Sequence, residues 1–204
     1  MKSLNIKDIF IAINMTNEDW KTSTSAPIML AGLYLQNPKQ FESFVPILHR
    51  YFLACCRKIE HLTPQKGLRD GVLGAEKWIN GEITDEEFWR LERSAEAEAF
   101  AFENPETIEE KEELQNLIES VTFPKGTSYK TAHYIMEKAA YFVDSAMVYP
   151  TINKAPYVES LCTSRFLCAD LLREYLRPHF KDNPHKGSLD IIASEKRAGR
   201  PERM

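Results

Sequence analysis

Apolar positions along this 204-residue chain recur at three- and four-residue steps, the spacing of amphipathic helices, and nowhere sustain the alternation of a strand. A short apolar segment over residues 5–13 predicts a first helix. Thr16-Asn17-Glu18-Asp19 reads as a helix start, with acids in the first turn where the positive end of the dipole favours them. Pro27 opens a helix over 27–36 that offers Ile28, Leu30, Leu33 and Tyr34 for burial, and Asn37-Pro38 ends it. Phe44, Val45, Leu48, Phe52, Cys55, Cys56 and Ile59 mark one stripe of a helix over 40–61, with Pro46 near its start. Thr63-Pro64 is the expected cap of the next helix, with proline at its first position. Leu68, Val72, Ala75 and Ile79 repeat along it until Asn80-Gly81.

Thr84 and Glu87 form a predicted capping box, ahead of Phe88, Leu91, Ala95, Ala99 and Phe102. After Asn104-Pro105, the positions of Ile108, Leu114, Leu117 and Ile118 predict a helix over 106–121. Pro124-Lys125-Gly126 is a turn, and Thr127 is expected to cap a long helix bearing Ala132, Ile135, Met136, Ala139, Phe142, Val143 and Ala146, ended by Pro150. A last major helix is predicted over 156–178, with Val158, Leu161, Cys162, Phe166, Ala169, Leu172 and Leu176 on its apolar side. The pattern therefore predicts an all-α protein: a single-domain bundle or helical-pair array of seven or eight helices over residues 1–180. Residues 181–204 have little to bury beyond Leu189, Ile191 and Ile192, and read as a mobile, partly helical basic tail.

Composition narrows the class. Hydrophobic residues make up 43% and charged residues 27%, enough to close a core, and 8 glycines argue against a turn-dense β architecture. The longest apolar run, residues 28–35, falls short of the ~20 residues a membrane helix needs. Asp8 interrupts the N-terminal apolar run and no small-residue cleavage site follows, so no signal peptide is expected. Cys55, Cys56, Cys162 and Cys168 lie on apolar helical faces and include no CxxC pair. They read as buried reduced thiols rather than as disulfides or zinc ligands, which suits a cytoplasmic protein.

Charge changes the picture most. Residues 82–119 hold 14 acidic and 3 basic side chains, a net of −11, within a chain whose total is −4. Such a field repels itself unless compensated, and it steers a basic partner. Glu86, Glu87, Glu92, Glu96, Glu103, Glu109, Glu110 and Glu113 are the candidate partner-binding residues. The same charge disfavours direct nucleic-acid binding, and Lys196, Arg197, Arg200 and Arg203 in the tail are too few to reverse that. The competing site is a metal centre on the long helix, where His133, Glu137 and Asp144 can share a face, with Asp170 or Glu174 as further ligands. His49 and His61 flank Cys55-Cys56 without sharing a face with Cys55, and no Walker loop, GxSxG or GxGxxG is present. No cofactor is expected.

Four segments carry a family resemblance: MTNEDW from Met15, PIML from Pro27, YFLACCRKIEHL from Tyr51 and GAEKWINGEITDEEF from Gly74. In this order they resemble a group of uncharacterised bacterial all-α proteins with an initial MTxxxW, a proline-led helix, an FACCRRxxHLL helix and an AExxxDGxxTxEEL helix pair. The likeness covers roughly residues 15–102, and Cys55-Cys56-Arg57 with His61 is its most specific part. It implies an all-α fold and no particular reaction. The helix–GEIT–helix element is also similar to one in all-α immunity proteins that neutralise bacterial toxins. The expected function is thus a non-enzymatic, cytoplasmic helical domain whose acidic face engages a basic partner protein, with toxin neutralisation or a phage-conflict role as its sharpest form.

Overall fold

Side chains that close free N–H groups at helix starts set most element boundaries. The computed structural model describes residues 4–36, 38–102, 105, 107–149, 161–178 and 180. Ten α-helices appear among them: α1 (Ile6–Ile13), α2 (Asn17–Thr22), α3 (Ala26–Gln36), α4 (Pro38–Ser43), α5 (Val45–Lys58), α6 (Lys66–Ile79), α7 (Asp85–Phe100), α8 (Ile108–Glu119), α9 (Tyr129–Met147) and α10 (Ala169–Tyr175). A 3-10 turn at Glu60–Leu62 follows α5, and no strand occurs among the described residues. The fold is all-α. Capping boxes start α1 (Asn5 with Asp8), α2 (Thr16 with Asp19), α7 (Thr84 with Glu87) and α8 (Thr107 with Glu110). Each such cap is worth about 1 kcal/mol.

Several boundaries differ from the sequence reading. The helix expected over 40–61 is two, broken at Phe44, because the Pro46 ring cannot follow a preceding helical turn. Thr63 is buried and caps nothing; the α6 cap position falls to Gln65, whose side chain makes no cap bond. Ser128, not Thr127, caps α9 by accepting the Thr131 N–H at 3.2 Å, while the Thr127 hydroxyl donates back to the Pro124 carbonyl. The helix expected over 156–178 is interrupted: Leu161 and Cys162 are helical, and the next described helix is α10. Between them the Ser164 hydroxyl accepts the Phe166 N–H, giving the backbone a local alternative to helix. Pro150, Pro156, Val158 and the tail over 181–204 lie outside the described residues.

One apolar cluster runs from Met15 to Phe180. The 19-residue α9 is its axis, packing on α5, α6, α7 and α8, and burying Ala132, Met136, Ala139, Ala140, Phe142, Val143, Ala146 and Met147. α3 is buried at every position from Met29 to Leu33, between α1 and α10, whereas Tyr34 points outward. A helix apolar all round is one the core encloses.

The most extensive contact between helices is that of α6 with α7. Gly67, Gly71 and Gly74 line one side of α6, and a Cβ at Gly71 would sit 2.6 Å from the Met147 methyl and 3.0 Å from the Ala95 Cβ. A Cβ at Gly67 would meet the Glu98 carboxylate at 2.7 Å, and one at Gly74 the Leu91 side chain at 2.5 Å. Because Gly67 leaves this space, Glu98 reaches across from α7 and its Oε2 accepts the Leu68 N–H at 3.2 Å. A residue of α7 thus caps the helix before it. Gly71→Val should destabilise the protein by about 2–4 kcal/mol through overpacking, although replacing a helical glycine usually helps. Urea unfolding at an unchanged m-value checks this; a stability equal to wild type would show that α7 can move away at no cost.

Candidate functional site: an acidic groove between α7 and α8

The acids of residues 82–119 divide once they are placed. Glu87 is spent on the α7 cap, its Oε2 accepting from the Thr84 N–H and hydroxyl at 2.9 Å each, and these bonds hold its carboxyl below the usual range. Glu110 serves α8 in the same way, accepting the Thr107 N–H at 2.9 Å. Asp85 accepts the Trp78 indole N–H at 2.8 Å. Glu92 is half-buried, and burial, reinforced by Glu96, raises its carboxyl. Glu86, Glu96, Glu109 and Glu113 stand exposed, and Glu103 lies outside the described residues. None of Glu86, Glu87, Glu92, Glu96, Glu109 and Glu113 forms an ion pair with another described residue. The ion pairs that do form lie elsewhere, as at Arg57–Glu76 and Arg173–Asp170.

The two acidic helices converge on a groove of about 360 Å³. Glu98, Ala101 and Phe102 face it from the end of α7, one helical turn apart; Glu110, Glu113, Leu114 and Leu117 face it from one side of α8. Leu114 and Phe102 are buried and Leu117 half-buried, so the floor is apolar and the rim carries three carboxylates. Gln65 completes the lining, and both polar atoms of its amide are buried with no hydrogen-bond partner. Such an orphan costs on the order of 1–3 kcal/mol. The sequence reading passed over Gln65, Glu98 and the groove itself; the only signal was glycine at 67, one helical step from the cap position.

His133, Glu137 and Asp144 do not converge. The His133 Nε2 donates to the Phe102 carbonyl at 3.2 Å, and its ring stacks on Tyr129. Glu137 pairs with Lys138 at 2.5 Å. Asp144 faces Glu92 and Glu96 on α7, and its buried Oδ1 has no hydrogen-bond partner. Among the described residues no three His, Cys, Asp or Glu side chains are placed to hold a metal. The four thiols are free, and burial pushes Cys55 to about 11 and Cys162 to about 12, leaving them protonated and poorly nucleophilic. His61 sits exposed in the 3-10 turn, while His49 is a core residue whose Nε2 donates to the Met147 carbonyl at 2.9 Å. Burial lowers the His49 pKa to about 4, so it stays neutral and ties α5 to the end of α9.

The chain matches no protein-family model, no curated protein and no solved structure. The reading of the site therefore rests on its own geometry. No helix among the described residues is long and apolar enough to cross a membrane.

Asp144 supplies a test of the α7–α9 contact. Burial, then Glu92 and Glu96, raise its pKa from 3.8 to about 7. A raised carboxyl favours the fold fully below about pH 4, and that contribution is lost as pH rises through about 7. Asp144→Asn should therefore be the more stable protein at pH 8, by on the order of 1–3 kcal/mol. The gap should close toward pH 4. His49 loses stability as pH falls from 6.5 toward about 4, but it does so in both proteins and cancels in the difference. Paired urea titrations at pH 8, 6 and 4 decide it, and a gap independent of pH would rule out ionisation of Asp144 as its cause.

Proposed function

We propose that this protein is a non-enzymatic binding module whose α7–α8 face engages a basic partner protein. The observation that carries the reading is that Glu86, Glu87, Glu92, Glu96, Glu109 and Glu113 form no ion pair with another described residue, within a segment of net charge −11. Acids at the starts of α7 and α8 also stabilise those helices through their dipoles, which accounts for Glu86, Glu87, Glu109 and Glu110 as helix residues. It does not account for Glu96 and Glu113, which lie past the first turn on solvent-facing positions. A partner with lysines or arginines gains from both groups, and long-range attraction raises its rate of encounter. The likeness of the GEIT element to immunity proteins makes a basic toxin or nuclease the first partner class to test, in the cytoplasm. The metal-binding alternative loses support, because His133, Glu137 and Asp144 do not converge.

The test is affinity capture with full-length protein at about 20 mM and about 300 mM salt, conditions that bracket strong and weak screening. The retained protein should be basic and should be released at the higher salt. Glu86→Gln, Glu96→Gln and Glu109→Gln combined should weaken capture about tenfold or more, since each lost charge removes a few tenths to about 1 kcal/mol. The capping-box residues Glu87 and Glu110 are left intact, so stability is preserved. Capture that ignores both salt and these substitutions would refute the acidic-face reading.

A further inference from the structure

The groove asks for a ligand with two properties that rarely coincide. On its rim Glu98 and Glu113 call for a cation, and no lysine or arginine is among the described lining residues. Glu113 in particular has no hydrogen-bond or ion-pair partner among the described residues. Its floor of Phe102, Leu114 and Leu117 instead calls for an aliphatic stem. Gln65 adds the third requirement: an orphaned amide oxygen that wants a donor, and an orphaned amide nitrogen that wants an acceptor. The loose terminal torsion of a glutamine lets it turn either atom toward a ligand.

We propose that the α7–α8 groove receives a peptide-borne arginine side chain from the basic partner, a deepening that rests on the acidic-face reading above. An arginine side chain meets the cationic, apolar and donor requirements. Its methylenes cover the apolar floor, and its planar fork of five N–H donors spans a carboxylate and the Gln65 oxygen together. A lysine ammonium is a point charge and serves such a divided set less well. The Gln65 nitrogen needs an acceptor that no guanidinium carries, and a main-chain carbonyl beside the arginine provides it. This is why a peptide fits and a free guanidinium ion does not. A groove of about 360 Å³ is at the small end of ligand sites, which span about 300–1,000 Å³, and suits one side chain rather than a helix.

The probe is acetyl-Gly-Arg-Gly-amide, titrated into full-length protein at low salt while the Gln65 side-chain NH₂ signals are followed by NMR. Those signals should shift saturably with a Kd of about 1–10 mM, the range of a single anchored side chain. The lysine peptide should bind several-fold more weakly, and the uncharged citrulline peptide should leave Gln65 unmoved. Gln65→Leu removes an orphaned polar group, so that protein should be at least as stable as wild type while losing preference for the arginine peptide. Glu113→Gln should weaken arginine binding without affecting the citrulline control. No shift at Gln65, an equal response to citrulline, or equal binding of lysine would each overturn the proposal. So would movement of Gln65 when Arg197, Arg200 and Arg203 are changed to glutamine in the intact chain, which would make the chain's own tail the occupant. The two readings fail separately: salt-sensitive capture with no arginine response sinks this inference alone, whereas arginine binding with no captured basic protein sinks the acidic-face reading.

Discussion

Gly67, Gly71 and Gly74 leave the space on α6 that Glu98, Ala95 and Leu91 of α7 and Met147 of α9 fill, and the placement of the acidic segment follows from it. Contact this close brings Ala95 and Ala99 to zero exposure and stacks Trp78 on Phe88 with ring centroids 4.5 Å apart. It also fixes α7 at both ends. At its start, Asp85 accepts the Trp78 N–H; near its finish, Glu98 caps α6. A helix pinned in this way cannot roll to relieve repulsion among its carboxylates. The outward acids consequently form a fixed array instead of an average over orientations, and an array is what a specific partner can read.

The same close packing explains why Gln65 is orphaned. In most helices the residue at the cap position uses its own side chain on the free N–H groups behind it. Here Glu98 has taken one of them, at Leu68, and the Gln65 side chain is left among the lining of the groove. The cap of α6 and the polar feature of the groove are therefore one arrangement. Removing the glycine at 67 would disturb both, because its Cβ would displace the Glu98 carboxylate that creates the exchange.

What could be read from the sequence was local. Thr16 with Asp19 and Thr84 with Glu87 lie three residues apart and need no tertiary information; the box at Thr84 forms as expected, and the helix start expected at Thr16 proves to be a box as well. Gly81 ends α6 with a positive φ of 72°, as a glycine after Asn80 suggests. The misreadings came from residues whose choice between two local partners is settled by distant packing. Thr63 looks like a cap but is drawn into the core, and Thr127 bonds backward to Pro124, leaving Ser128 to start α9. His133, Glu137 and Asp144 do fall on neighbouring turns of one helix, yet α9 is surrounded on several sides. His133 meets the end of α7 at Phe102, whereas Asp144 meets its middle at Glu92 and Glu96. Spacing along one helix gives direction, but convergence depends on the neighbours. The charge asymmetry was legible as a sum and not as a site, since capping, burial and exposure divide the same residue type into different roles.

Asp144 and Gln65 place two unsatisfied polar groups along α7, one against its middle and one at its end, and they differ in kind. The Asp144 carboxyl can relieve its own cost by holding a proton, since burial and the two facing glutamates already raise it to about 7. A glutamine has no such recourse: its amide stays polar at every accessible pH, and its cost persists until something supplies a donor and an acceptor. Asp144 lies in a contact between helices that the fold closes, whereas Gln65 borders a groove that opens to solvent. The cost at Gln65 therefore stays in place in the free protein, whereas the cost at Asp144 is relieved by a proton. Under the proposed function, the charge of α7 and α8 would set how fast a basic partner arrives, and the groove would set which residue it must bring.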